Sequence, residues 1–203
     1  MTAIVDYRAG NLTSVKLAFE AIGEQTVVTS DPNVIAAADR VVFPGVGAAK
    51  SAMENLKTMG LVDAVKSAAI SGKPFLGICL GMQILFEHSE EDGGVDTLGI
   101  LRGRVRRFPD VKGFKVPEIG WNCVDATAKN AKDSKSESLK PLNEYYFVHS
   151  YYAEVVPETV GFTEYAGVEF TAMVKKWKLW ACQFHPEKSG RIGLALLREW
   201  LSL

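Results

Sequence analysis

Short β-branched segments alternate with helical segments along the first eighty residues, and this alternation restricts the fold more than any other feature of the sequence. The pattern predicts strands at TAIVDY, QTVVTS, RVVF and PFLGI, with apolar residues at helical spacing between them. The first helix begins at Asn11, a residue type that favours helix N-caps. Strand–helix alternation predicts an α/β fold with a doubly wound, mostly parallel central sheet and helices on both faces.

The second half of the chain has a different pattern. Strand-like segments follow one another with little helical periodicity until RIGLALLREWL near the end. An antiparallel strand region is therefore predicted in the C-terminal half. Residues 126–140 are polar and carry almost no large apolar side chains, so this segment is interpreted as an exposed loop or insertion. No internal repeat occurs, and residues 1–203 are predicted to form a single domain.

Composition argues against several classes of function. The net charge of −1 gives no basic surface for nucleic acid or an anionic membrane. No segment approaches the roughly 20 apolar residues that a membrane span requires, and the N-terminus does not resemble a signal peptide. The three cysteines are widely spaced, which argues against a disulfide framework and indicates a reducing compartment. A cytoplasmic location is expected.

Cys79 stands between Gly77 and Gly81, where an apolar strand meets a helical segment. The sequence G-I-C-L-G is the thiol version of the G-x-S-x-G nucleophile elbow. The elbow needs small residues two positions to either side because its turn is sharp and brings neighbouring backbone close. It would place the nucleophile at the carboxyl edge of the sheet, where doubly wound folds bind ligands. A buried cysteine in an ordinary strand–helix junction is the alternative that this pentapeptide leaves open.

A thiol nucleophile needs a base, and the sequence offers three histidines. His88 lies beside the acidic segment SEED and is interpreted as a solvated residue at a helix end. His149 lies in an aromatic strand and is interpreted as a structural histidine. His185 precedes a proline, which favours extended backbone, so its side chain and that of Glu187 are predicted to project together. A carboxylate would then orient the imidazole, although a strand-end turn with a surface glutamate is the alternative.

The other cysteines are weaker candidates for the nucleophile. Strand alternation places Cys182 on the face opposite His185, and Cys123 has neither flanking glycines nor a following helix. No zinc-ligand spacing or phosphate-binding loop occurs, so the sequence predicts thiol chemistry without a metal or cofactor. Backbone N–H groups for an oxyanion are predicted in the P-G-V-G segment 44–47 and at Leu80. An ordinary Pro-Gly turn is the alternative for residues 44–47.

The segments GICLGMQ and QFHPEKS together resemble the class I (triad) glutamine amidotransferases. The segments DYRAGNL, VPEIGWN and YYFVHSYY resemble the glutaminase subunits of that family that serve histidine biosynthesis. The resemblance covers essentially the whole chain. It implies that Cys79 attacks the side-chain amide of glutamine, that His185 acts first as base and then as acid, and that Glu187 orients His185. It also implies that ammonia passes to a (β/α)8-barrel cyclase, the partner in a heterodimer, which forms imidazole glycerol phosphate and an aminoimidazole carboxamide ribotide.

By motif position, the resemblance implies further roles. The residues implied to hold the substrate glutamine are Gly47, Gln83, Glu91, Ser150 and Tyr151. The backbone around Val46 and Leu80 is implied to bind the oxyanion. The residues implied to meet the cyclase and to gate ammonia passage are Asn11, Trp121, Asn122, Tyr146 and Lys188. Ordinary surface or packing is the alternative for these five.

The sequence departs from the usual family pattern at four positions. Arg8 and Glu118 stand where the family commonly has glycine and histidine, and Ala49 with Lys50 stands where an aromatic–glycine pair is often found. None belongs to the triad, and all four are expected near the partner interface or the oxyanion loop. A glutaminase of another pathway, such as anthranilate, guanylate or pyridoxal phosphate synthesis, remains an alternative. A non-catalytic redox or regulatory subunit is a second one, although the oriented base argues against it.

Overall fold

A computed structural model of the chain describes residues 1–126 and 143–203. Apart from Ala126, the polar segment 126–140 lies outside the described residues. The strands are β1 (Thr2–Val5), β2 (Thr26–Thr29), β3 (Arg40–Gly45), β4 (Phe75–Cys79), β5 (His88–Ser89), β6 (Val95–Asp96), β7 (Arg104–Arg107), β8 (Glu118–Val124), β9 (Asn143–His149), β10 (Tyr151–Ala153), β11 (Thr159–Tyr165), β12 (Val168–Lys176) and β13 (Leu179–Cys182). The helices are α1 (Leu12–Glu20), α2 (Pro32–Ala37), α3 (Ala49–Thr58), α4 (Val62–Ile70), α5 (Leu80–Gln83) and α6 (Gly190–Leu201). Short 3₁₀ turns lie at Glu91–Gly93 and Pro186–Lys188.

The central sheet confirms the predicted class. Its parallel part has the order β2-β1-β3-β4-β13, so the carboxyl ends of these five strands share one edge. Strands β12, β10 and β7 continue the sheet in antiparallel pairs, and β11 pairs with β12. Short strands β5 and β6 complete that side. Strands β8 and β9 form a separate antiparallel pair, so the predicted antiparallel region in the C-terminal half is also confirmed.

Alternating side chains divide the core between the two faces of the sheet. In β3, Val41 and Phe43 join one buried cluster and Val42 joins the other. The first cluster contains the buried faces of α3 and α4, whereas the second contains those of α1 and α6. Strands buried on both faces read as continuous apolar runs, which is why the sequence signals of the parallel strands were strong. Helices therefore cover both faces, as predicted.

The helix that follows Cys79 is shorter than the sequence pattern predicts. It ends at Gln83, and the next three residues, Ile84 to Phe86, are fully buried. A segment that is apolar on every side is enclosed rather than amphipathic, and here it continues as tight turns instead of a helix. His88 then begins β5 and pairs with Asp96 at 2.8 Å. The interpretation of His88 as a helix-end residue was therefore wrong.

Replacing Gly81 with alanine should destabilise the fold severely. A Cβ at Gly81 would lie 1.9 Å from the carbonyl oxygen of Phe43, a backbone atom of β3 that cannot move without disturbing the sheet. We expect a loss of about 3 kcal/mol or more in the free energy of unfolding, the upper range for overpacking. Gly23→Ala is the control, because its Cβ meets open space and only its φ of +85° is unfavourable, at about 1 kcal/mol. Equal unfolding midpoints in urea for the two variants would contradict this account.

Candidate active site

Cys79 lies in a strained backbone conformation at the carboxyl end of β4. Its φ of 53° and ψ of −112° are rare for a residue with a side chain, and Leu80 begins α5 immediately after it. Strands β3 and β13 flank β4 in parallel, so the cysteine stands at the shared edge of the sheet. Only 6% of Cys79 is exposed. Strain held in place by close packing at a sheet edge is typical of functional sites.

His185 and Glu187 form a buried pair beside this cysteine. The backbone of His185 is extended, and its Nδ1 lies 2.7 Å from Oε1 of Glu187. Because a carboxylate only accepts hydrogen bonds, Nδ1 carries the proton and Nε2 is left free to act as a base. Nε2 is buried and has no hydrogen-bond partner among the described residues. The two side chains therefore project together, as predicted.

The electrostatic surroundings of His185 stabilise the charged form that it takes on when it accepts the proton of the Cys79 thiol. Burial alone lowers the pKa of the imidazole, but contacts with Cys79 and with Glu187 outweigh burial and raise the pKa to about 10. The charge of Cys79 therefore acts on this imidazole, as expected for a nucleophile and its base. These three side chains thus combine a nucleophile, a base and a group that orients the base.

Gln183 contacts the nucleophile directly, which the sequence reasoning missed. Its Nε2 lies 3.6 Å from Sγ of Cys79, and its side chain is completely buried. Nε2 of Gln83 donates to Oε1 of Gln183 at 2.9 Å and to the carbonyl oxygen of Tyr151 at 2.7 Å. A usable signal existed, because Gln183 precedes His185 by two residues, and residues at that spacing in an extended segment face the same side.

Tyr7 is a second residue that sequence reasoning missed. Its ring is fully buried, and its hydroxyl has no hydrogen-bond partner among the described residues. A Cβ at Gly45 would lie only 2.5 Å from this hydroxyl, so the ring packs directly against the end of β3. Burial, and then the charge of Cys79, raise the pKa of the phenol. No pattern in the sequence distinguished Tyr7 from an ordinary core aromatic residue.

The residues implied to hold substrate lie in one region. Oε2 of Glu91 accepts the N–H of Ala49 at 2.6 Å, two residues after Gly47. Burial raises the pKa of Glu91, and this hydrogen bond offsets part of the rise. Burial, followed by the charge of Glu91, raises the pKa of Tyr151, whose carbonyl accepts from Gln83. Contacts therefore link Gln83, Tyr151 and Glu91, whereas Ser150 and Gly47 are placed near them by their positions in the chain.

The two implied oxyanion donors directly follow the ends of two adjacent strands, β3 and β4. Gly45 pairs with Cys79 in the register of β3 and β4, so Val46 follows the position directly beside the nucleophile. The N–H of Leu80 is the first of a helix and therefore has no partner within that helix. Pro44 and Gly45 belong to β3 rather than to an ordinary turn. Val46 also lines a cleft of about 480 Å³ at the end of β1 and β3.

The implied partner residues gather on the strand pair β8–β9 and the adjacent 3₁₀ turn. Trp121 is 55% exposed, and its ring lies 6.1 Å from that of Tyr146. Nζ of Lys188 lies 5.8 Å from the same tyrosine ring. Asn122 is adjacent to Trp121 in β8, so this pair lies in a strand rather than in a loop. Asn11 caps α1, which contacts the 3₁₀ turn.

The four departures from the family pattern have different surroundings. Arg8 has a φ of 62°, a conformation that glycine adopts at no steric cost, which explains why glycine suits this position. Ala49 begins α3 with its N–H bound to Glu91, and Lys50 beside it is exposed. Glu118 is 4% exposed and its Oε2 lies 3.1 Å from Nε2 of His149. This position is therefore internal rather than part of the interface surface.

Residues 1–126 and 143–203 contain neither a group of metal ligands nor a membrane-spanning helix. No three histidine, cysteine, aspartate or glutamate side chains in these ranges are grouped so that they could hold a metal ion. No helix in the same ranges is long and apolar enough to cross a membrane.

The fold and the site together define an α/β protein with a thiol, an imidazole and a carboxylate grouped at the sheet edge. The family model for class-I glutamine amidotransferases matches residues 3–201. Imidazole glycerol phosphate synthase subunit HisH of Desulfovibrio desulfuricans is 47% identical, over 97% of this chain and 92% of that protein. The HisH subunit of Methanothermobacter thermautotrophicus is 45% identical, over 100% and 98% of the two chains. The chain therefore belongs to the class-I glutamine amidotransferases and, among them, to the HisH subunits of imidazole glycerol phosphate synthase.

Solved structures agree on the fold. A crystal structure of a glutamine amidotransferase superposes with a TM-score of 0.73 at 17% identity, covering 98% of this chain and 97% of that one. The structure of PurLQS from Thermotoga maritima gives a TM-score of 0.71 at 18% identity, covering 99% and 97%. At these identities the likeness concerns the arrangement of helices and strands only.

Glu187→Gln should lower the pKa of His185, because the variant removes a contact that raises it. A group with a raised pKa in the folded state stabilises the fold fully below its ordinary value of 6.5 and loses that contribution as pH rises through about 10. The wild type should thus have the higher free energy of unfolding. The difference from the variant should be largest at pH 6 and should shrink towards pH 10. Denaturation at several pH values, with NMR titration of His185, measures both. A difference that does not change with pH would contradict the role of this pair.

Proposed function

We propose that the chain is the glutaminase subunit of an imidazole glycerol phosphate synthase, which hydrolyses glutamine and delivers the ammonia to a (β/α)8-barrel cyclase. The observation that carries this proposal is the strained Cys79 beside the buried pair of His185 and Glu187. The names of the relatives favour this pathway over the anthranilate, guanylate or pyridoxal phosphate alternatives. An oriented base beside the thiol also favours catalysis over a purely redox role.

In the first half of the proposed reaction, Nε2 of His185 takes the proton of the Cys79 thiol, and the sulfur attacks the side-chain carbonyl carbon of glutamine. The carbonyl oxygen becomes an oxyanion, which the backbone N–H groups at Val46 and Leu80 stabilise. The protonated His185 then donates its proton to the departing nitrogen. Ammonia leaves and a glutamyl thioester with Cys79 remains.

In the second half, His185 takes a proton from water, and the resulting hydroxide attacks the thioester carbonyl. The same backbone donors stabilise the second tetrahedral intermediate, and the carbon–sulfur bond breaks. The proton on His185 returns to the thiolate, and glutamate is released. Glu187 remains ionised throughout and holds the imidazole in the tautomer that leaves Nε2 facing the nucleophile.

The polar groups around Glu91 suit an amino-acid substrate. Its carboxylate provides a negative charge for the α-ammonium group of glutamine, and Tyr151 lies close enough to feel that charge, with Ser150 next to it in the chain. Gly47 has a φ of 91° and no side chain, which leaves room for the substrate beside the oxyanion loop. Gln83 supports this wall of the site through its hydrogen bond to the Tyr151 carbonyl.

The partner is proposed to dock on the face formed by β8, β9 and the 3₁₀ turn at Pro186–Lys188. Trp121 supplies an exposed aromatic side chain with Tyr146 beside it, and both residue types are enriched at interface hot spots. Lys188 adds a positive charge next to Tyr146. Asn11 and Asn122 would extend this surface. His185 and Lys188 are only three residues apart, so the docking face and the active site share one turn.

We also propose that residues 1–203 form one domain, because β4 and β13, which come from the two halves of the chain, are direct neighbours in the sheet. The proposal also assigns the protein to the cytoplasm. The cysteines at positions 79, 123 and 182 are all free, as expected for a reducing compartment.

Cys79→Ser should abolish glutamate release by the complex with the cyclase, with a loss on the order of 10³-fold or more, as for other residues of a catalytic triad. Val28→Ser is the control, because that side chain is exposed in β2 and lies outside both the site and the proposed docking face. A coupled assay for glutamate measures both variants. Unchanged release by Cys79→Ser would refute the proposed nucleophile.

The isolated subunit should hydrolyse glutamine weakly, and the cyclase with its nucleotide ligand should raise the rate, because the glycine-rich loop after β3 would be ordered by the partner.

Trp121→Ala should weaken the complex about 30-fold, the scale of a hot-spot aromatic residue. Titration calorimetry and steady-state rates test these expectations. Val28→Ala, on β2 of the central sheet, provides an exposed apolar control. Full activity without the partner, or unchanged affinity in Trp121→Ala, would count against the docking model.

A further inference from the structure

A continuous series of polar contacts links the exposed strand β8 to the sulfur of Cys79. We propose that Gln183 is a positioning residue for this sulfur, and that the buried pair of Glu118 and His149 holds Gln183 in place and connects it to the face on which the partner docks. The inference rests on the proposed function, because it concerns the same nucleophile and the same docking face.

The end nearest the thiol has a defined orientation. The carbonyl oxygen of Tyr151 only accepts hydrogen bonds, so the side-chain nitrogen of Gln83 must face it. That nitrogen also donates to Oε1 of Gln183 at 2.9 Å, which turns the nitrogen of Gln183 towards Sγ of Cys79, 3.6 Å away. An N–H that points at sulfur restricts the rotation of the cysteine side chain and so fixes where the sulfur projects. Because Gln183 is fully buried, solvent water does not compete with the sulfur for this N–H.

His149 extends the series from Tyr151 towards β8. Its Nδ1 lies 2.8 Å from the same Tyr151 carbonyl, so Nδ1 must carry a proton. Its Nε2 lies 3.1 Å from Oε2 of Glu118. Neither of these two atoms has a hydrogen-bond partner among the described residues, so the side chains interact as a close buried pair of polar groups rather than through an aligned hydrogen bond. The carbonyl of Tyr151 therefore receives hydrogen bonds from both Gln83 and His149.

The far end of the series lies on the docking face. Nδ2 of Asn122 donates to Oε1 of Glu118 at 2.8 Å, and Asn122 is adjacent to the exposed Trp121. Glu118 and His149 are directly opposite in the antiparallel register of β8 and β9. Among the described residues, β8 has its ladder with β9, and Asn122 also donates to the Glu164 carbonyl of β11, so β8 is connected to the central sheet. A displacement of β8 by a partner would thus reach Tyr151, Gln83 and Gln183 through groups that have no solvent to relax into.

The test breaks the series at each end and compares the effect with a control of similar burial. Gln183→Leu removes the N–H that faces the sulfur, and Glu118→Leu removes the group that pairs with His149. Glu118→Gln is the conservative variant, because its amide can still accept from Asn122 and can donate to Nε2 of His149. Thr163→Val is the control, since the buried Thr163 hydroxyl donates to the Cys123 carbonyl of β8 at 3.0 Å outside the series.

The first readout is the rate of Cys79 alkylation by iodoacetamide, in the free subunit and in the complex with the cyclase. Gln183→Leu should slow alkylation about 10-fold in both states, the factor that corresponds to one lost hydrogen bond to a charged group. Glu118→Leu should remove the increase in alkylation rate that the cyclase causes, whereas Glu118→Gln and Thr163→Val should retain it. Thermal unfolding of each variant establishes that these differences belong to folded protein.

The second readout is glutamine hydrolysis by the complex. Glu118→Leu should lower kcat about 10-fold with KM within about twofold, because the series acts on the sulfur rather than on substrate contacts. The inference would be overturned if Glu118→Leu and Thr163→Val had equal Cys79 alkylation rates and equal kcat values, even if the complex releases glutamate normally. A wild-type complex that releases no glutamate would instead refute the proposed function, and the alkylation rates would still decide whether the series reaches the thiol.

Discussion

The close packing of three backbone segments around Cys79 is the constraint on which the rest of the site depends. Strand β4 ends in a residue with a φ of 53°, and the first turn of α5 returns directly against β3. Only glycine at position 81 allows this approach, because any larger residue would meet the Phe43 carbonyl. Packing thus fixes where the sulfur projects, and every other group of the site takes its place relative to that point.

Around this fixed sulfur, the second half of the chain supplies the chemistry. Strand β13 joins the parallel sheet beside β4, and the residues that follow it bring Gln183 and His185 to the nucleophile. Glu187 completes the buried pair two residues later. The continuation of the same segment ends at Lys188, on the surface proposed for the partner. A short stretch of chain therefore connects the sulfur, the base and the proposed docking face.

Much of this was predictable from the sequence because the signals were local. The parallel strands are apolar runs in the sequence. The G-I-C-L-G segment, together with a histidine and a glutamate at i and i+2, predicted the thiol, the base and the carboxylate. The failures came from tertiary context. The end of α5 at Gln83 depends on burial of the next three residues on all sides, and the placement of Glu118 inside depends on its partner His149 across β8 and β9. Tyr7 and Gln183 were missed because their importance arises only from what the fold brings next to them.

Covalent capture of the substrate tests the central claim, that Cys79 is the nucleophile, most directly. The complex would be mixed with glutamine, quenched in acid within a single turnover and digested for peptide mass spectrometry. The account predicts a glutamyl group on the peptide that contains Cys79, and none on the peptides of Cys123 or Cys182. Glutamate release without any glutamyl adduct on Cys79, or with the adduct on another cysteine, would contradict it.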